Sequence, residues 1–101
     1  METPNCNILN ISIPAGQQKT ATIDTKDYVS GSLQVSGDNV GSTLSFEVSN
    51  NGTMHAIGGT IGIAANDIGV IPADIFKYRY FRIVSNSVET NGLPLVLCFQ
   101  K

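Results

Sequence analysis

The sequence predicts an all-β protein: an antiparallel β-sandwich of about seven or eight strands. Three observations carry this. Leu44-Ser-Phe-Glu-Val-Ser-Asn-Asn-Gly-Thr53 alternates apolar and polar residues and then meets Asn-Gly, a tight-turn signal. Ile75-Phe-Lys-Tyr-Arg-Tyr-Phe-Arg-Ile-Val-Ser85 is a dense aromatic and basic run that ends in β-branched residues. Glycine and β-branched residues recur so often that few windows hold a 3.6-residue apolar period, and no helix is expected.

The elements follow in order. Leu9, Ile11 and Ile13 alternate with Asn10 and Ser12, and Pro14-Ala15-Gly16 ends that strand. Thr20 to Thr25 reads as a strand with Ala21 and Ile23 on one face. Leu33 and Val35 form a short strand between Ser30-Gly31 and a turn at Ser36 to Asn39. Leu44, Phe46 and Val48 point inward, the turn Asn50-Asn51-Gly52 follows, and Thr53 to Ile57 returns with Met54 and Ala56 inward. Gly58 to Val70 is apolar and broken by Gly58, Gly59, Gly62 and Gly69, with Asp67 as its one charge. It reads either as an irregular strand and loop or as a surface that another subunit covers. Ile71 to Phe76 reads as a turn or a single helical turn. Tyr80 to Val84 is a central strand with Phe81 and Ile83 inward, and Asn86 to Gly92 reads as a polar loop. In the last strand Leu95, Leu97 and Phe99 alternate with Val96 and Cys98, so both of its faces are expected to be covered.

The 101 residues fit one domain, taken as 8–101, preceded by an arm over 1–7. The arm reads either as a segment that orders on a partner or as a frayed terminus. Charged residues make up 14%, against ~25% in average globular proteins, and Ser, Thr, Asn and Gly fill the difference. That mix suits a surface partly covered by copies of the chain or by a partner. A net charge of −2 gives no reason to expect nucleic acid, and the cluster Lys77, Arg79 and Arg82 reads as a solvated or partner-facing patch. No apolar run is long enough for a membrane helix. Met-Glu-Thr-Pro-Asn does not begin a signal peptide, so synthesis in a cytoplasm is expected.

No constellation spells out a reaction. His55 is the one histidine and reads as an exposed or rim residue. Glu47 points outward without a partner that sequence can name. Asp24 and Asp27, or Asp38 and Asn39, lack the dense oxygen pattern of a calcium loop. Gly58-Gly59-Thr60-Ile61-Gly62 lacks the lysine of a P-loop. The expectation is a non-enzyme with no cofactor, no metal and no catalytic residue. Phe76, Tyr78, Tyr80 and Phe81 suit sheet and core packing, with a sugar platform as the alternative. In a sandwich the terminal strands can be neighbours, so a bridge from Cys6 to Cys98 is geometrically open; in a reducing compartment the two read as small apolar residues.

The string Leu44 to Thr53, followed by Tyr78-Arg-Tyr-Phe-Arg-Ile-Val-Ser85, a polar loop and Leu95-Val-Leu97, resembles small tailed-bacteriophage virion proteins of the capsid decoration, or cement, type. The resemblance covers roughly residues 28 to 101 and departs at Met54-His55. It implies a jelly-roll-like sandwich that sits on the outer surface of a phage head and stabilises it, made in the host cytoplasm. The implied partners are the major capsid protein and the chain itself, as a homotrimer, with no nucleic acid and no membrane. The residues expected at a protein interface are Ile57, Ile61, Ile63, Ile68, Val70, Lys77 and Arg79. The alternative is a carbohydrate-binding or host-adhesion module of a phage tail or fibre.

Overall fold

The computed structural model describes residues 6–26, 28–41, 43–62 and 66–101. Among them are nine strands and one 3-10 turn. The strands are β1 (Asn7–Ile13), β2 (Gln17–Lys19), β3 (Ile23–Asp24), β4 (Ser30–Val35), β5 (Thr43–Ser49), β6 (His55–Gly62), β7 (Ile68–Val70), β8 (Tyr80–Glu89) and β9 (Leu93–Gln100). The 3-10 turn covers Ala73–Lys77, overlapping the Ile71 to Phe76 stretch that reads as a turn or a single helical turn.

Two antiparallel sheets pack face to face as a β-sandwich. The front sheet has the order β1-β9-β4-β7; the back sheet has β2-β8-β5-β6, with β3 also on β8. The chain extends 37 × 37 × 20 Å, a plate with two broad outer faces. Period-two alternation decides which side chains lie between the sheets. Leu33, Val35, Leu95, Leu97 and Phe99 come from the front sheet, and Leu44, Phe46, Val48, Phe81 and Ile83 from the back. Phe46, Phe81, Phe99 and Phe76 form a chain of tilted and edge-to-face rings, with centroids 6.1 to 6.3 Å apart.

Several sequence expectations are corrected. Thr20 to Thr25 is not one strand. Thr20 is buried and its hydroxyl accepts the Ile83 N–H at 3.0 Å, standing in for a ladder carbonyl. The chain leaves the sheet there, Ala21 is exposed, and pairing resumes only at Ile23. Ala56 lies opposite Glu47 and is exposed, while Met54 precedes the strand and is half-buried; the pairing slips between Ser45 and Glu47. Asn86 to Glu89 is strand, not loop: β8 runs on to Glu89 and a short turn leads to Leu93. Of the expected arm, residues 1–5 lie outside the described residues, Asn7 opens β1, and Cys6 is joined by a disulfide to Cys98 with Cα atoms 5.5 Å apart. The two cysteines are therefore not separate apolar residues. In-register pairing of β1 with β9 is what brings the chain ends together.

Candidate functional site

The two outer faces differ in chemistry. None of the residues in the four front-sheet strands is charged. On the outward side, Ile8, Ile68 and Val70 are 60%, 65% and 74% exposed. Between these edges the face carries Asn10, Ser32, Gln34, half-buried Val96 and the Cys6–Cys98 bridge. The face is therefore apolar at its margins and neutral between them.

The back face is built from ion pairs. Glu47 on β5 lies between Arg82 on β8, its cross-strand neighbour, and Lys19 on β2. Burial pushes the Glu47 carboxyl up, but the bond and charge of Arg82 and the charge of Lys19 outweigh it and hold the group below its ordinary value. At the end of the same sheet Arg79 grips Asp24 through two bonds of 3.0 Å, and its guanidinium lies 5.5 Å from the centre of the Tyr80 ring. The Arg79 bond, joined by the Lys26 N–H, holds Asp24 low, and Asp24 in turn raises Arg79. Lys77 pairs with Asp74 within the exposed 3-10 turn.

The residues expected at an interface are thus divided. Ile68 and Val70 stand on the front face, fully available. Ile57 and Ile61 on β6 are half-buried against the core. Lys77 and Arg79 are exposed but each is committed to an acid. Ile63 lies outside the described residues. Ile8 was not expected there, although alternation in β1 sets it on the outward face with Asn10 and Ser12.

The aromatic run does not form one platform. Phe81 is fully buried, Phe76 and Tyr78 pack against the core, and Tyr80 alone stands on the back face beside Arg79. A lateral cleft of about 310 Å³ opens between β1 and β3, lined by Leu9, Ile11, Ile23, Lys26, Tyr28 and Phe99 among others. Tyr28 stacks on Phe99 at 4.9 Å within it, and its hydroxyl accepts a bond from Asn7. His55 is exposed at the end of β6. Among the described residues no three of His, Cys, Asp and Glu converge as a metal site would require; Asp27 lies outside them.

No family model matches the chain, and no curated protein matches it either.

One acid was missed altogether. Glu89 is completely buried at the end of β8. Its carboxylate accepts the N–H groups of Val40 at 2.8 Å and Gly41 at 3.0 Å, and the Ser85 hydroxyl at 2.6 Å. Its backbone carbonyl accepts the N–H of Gly16 and of Gly92. Burial raises the carboxyl, but the Ser85 and backbone bonds prevail and keep it below the usual glutamate value. Its carboxylate ties the β4–β5 connection to β8 and its carbonyl holds Gly16 and Gly92, so it acts as a structural clip.

Proposed function

We propose that this chain is a structural protein of a phage particle, a decoration or cement protein that binds the outer surface of the head beside the major capsid protein and stabilises it. The single observation that carries the reading is the division of a thin plate into an uncharged face and an ion-paired face. A bracing protein must hold two neighbours at once, and two broad faces of different chemistry supply two different contacts. The resemblance over residues 28 to 101 supplies the class of particle. The strand order β1-β9-β4-β7 over β2-β8-β5-β6 supports reading the sandwich as a jelly roll, since the chain crosses between sheets at every step but the β5–β6 hairpin once the short β2 and β3 are taken as one interrupted strand. The Cys6–Cys98 bridge supports residence in an oxidising environment, as on a released particle.

The test is a titration of phage heads stripped of the protein. The expected result is saturation at a fixed number of copies per capsomer, with heads that resist heat or chelation better than bare ones. Binding to glycans on an array, with no uptake by heads, would overturn the reading in favour of an adhesion module.

A further inference from the structure

The front face is ordered in rows across its strands. In-register pairing sets Ile8 opposite Cys98, Cys98 opposite Ser32 and Ser32 opposite Val70. The next row runs Asn10, Val96, Gln34, Ile68. Exposed apolar side chains therefore stand on both margins, Ile8 on β1 and Val70 with Ile68 on β7. Between them the Cys6–Cys98 bridge crosses the β1–β9 half. On the other half Ser30, Gly31 and Ser32 floor a hollow of about 220 Å³, bounded by Val70, Cys98 and Gln100.

We infer that this face is a two-fold interface with a second copy of the chain, front sheet against front sheet. A two-fold axis parallel to the strands, midway between β9 and β4, reverses the strand order in the copy. The copy's β1 then lies over β7, and its β9 over β4. Because Ile8 and Val70 share a row, each meets the other across the axis, twice per dimer. The disulfide of each copy lies over the serine-floored hollow of the other.

Charge and register select this occupant. A charged partner would find no counter-charge among the front-sheet strands, whereas two identical uncharged faces bury no unpaired ion. The four strands hold 7, 8, 6 and 3 residues, which at ~4.8 Å by ~3.3 Å per residue give a footprint of roughly 380 Å², or ~760 Å² for two copies. That is below the ~1,200 Å² at which stable specific interfaces begin, so the dimer is a weak one that forms at high concentration. The arrangement is isologous and closes at two copies, so the three-fold assembly implied by the resemblance would need a different contact. The inference does not rest on head binding, because it concerns the free chain.

Sedimentation equilibrium of the oxidised full chain, from low micromolar to millimolar concentration, tests it. The expected result is a monomer–dimer equilibrium. Val70→Lys should weaken the dimer at least ~tenfold, because two cations then enter an apolar contact. Val88→Lys, at a 44% exposed position on the back sheet, should leave it unchanged. Ile8→Lys should weaken it as Val70→Lys does. Ile8→Lys and Val70→Glu placed in one chain should restore it, since opposite charges then meet across the axis. A wild-type monomer at every concentration, a trimer, or a dimer indifferent to Val70→Lys would overturn the inference. So would failure of the double variant to recover while its melting temperature stays at the wild-type value.

Discussion

Ser85 and Glu89 lie four residues apart on β8, both buried in the sandwich, and the Ser85 hydroxyl donates a 2.6 Å hydrogen bond to the Glu89 carboxylate. The same carboxylate gathers the N–H groups of Val40 and Gly41, about fifty residues back in the chain. A buried acid in such a place stabilises only while all its donors are matched. Glu89→Ala should strand two backbone donors and a hydroxyl, at a cost of about 3 kcal/mol. Glu89→Gln should cost nearly as much, because its amide N–H₂ must face a donor. Urea unfolding with unchanged slope would check both; a loss under about 0.5 kcal/mol would show that water replaces the carboxylate.

The carboxyls of Glu89, Glu47 and Asp24 are all held below their ordinary values. The unfolded chain then binds protons more readily than the folded one as the solution is acidified. Their contribution is complete above the unfolded carboxylate range of about 4 to 4.5 and is lost as pH falls through the lower folded values. Stability should therefore be level from neutrality to about pH 5 and decline below it. Glu89→Gln should flatten that decline in melting temperature against pH. An identical acid limb in the variant would assign it to the other two acids.

Gly41 makes the clip possible for a steric reason. A β-carbon there would run into the Ser85 hydroxyl and the Asn86 side-chain oxygen and come within 3.3 Å of the Glu89 carboxylate. The obstructing atoms belong to a hydrogen-bonded network, so moving them breaks bonds as well as packing. Gly41→Ala should destabilise by about 1–3 kcal/mol. Gly62→Ala, with no neighbour within 4 Å of its added carbon, is the control for loss of glycine alone. Equal effects at the two sites would argue against the network.

What the sequence shows of this fold is set by whether a residue's partner is near or far. Leu44, Phe46 and Val48, Phe81 and Ile83, and Leu95, Leu97 and Phe99 are legible because alternation is a local signal, and all eight are buried as it predicts. Ser85 to Glu89 is illegible because its inward positions are polar and are satisfied by amides from another loop; locally such a string looks like a turn. The uncharged face is equally hidden. Its four strands are scattered among charged ones along the chain, and only sorting into two sheets separates them. Ile68 and Val70 could be singled out because an apolar, glycine-broken stretch already suggests a covered surface. Ile61, in the same stretch, packs against the core instead.

The Cys6–Cys98 bridge closes a loop of 92 residues, nearly the whole chain, and fastens the start of β1 to the centre of the front sheet. In the chain-entropy account a loop of that length restricts the unfolded ensemble strongly, and native bridges of this kind contribute about 2–4 kcal/mol. Cys98→Ser, or reduction, should lower stability by that amount while β1 keeps its seven in-register pairs with β9. The two routes differ in a useful way. Reduction leaves both sulfur atoms in place, whereas Cys98→Ser also puts a hydroxyl beside Val96 and Ser32. Equal losses measured by urea unfolding, with and without reductant, would assign the effect to the cross-link itself. A wild-type chain whose stability ignores reductant would show that pairing of β1 with β9 already confines the chain ends without the bond.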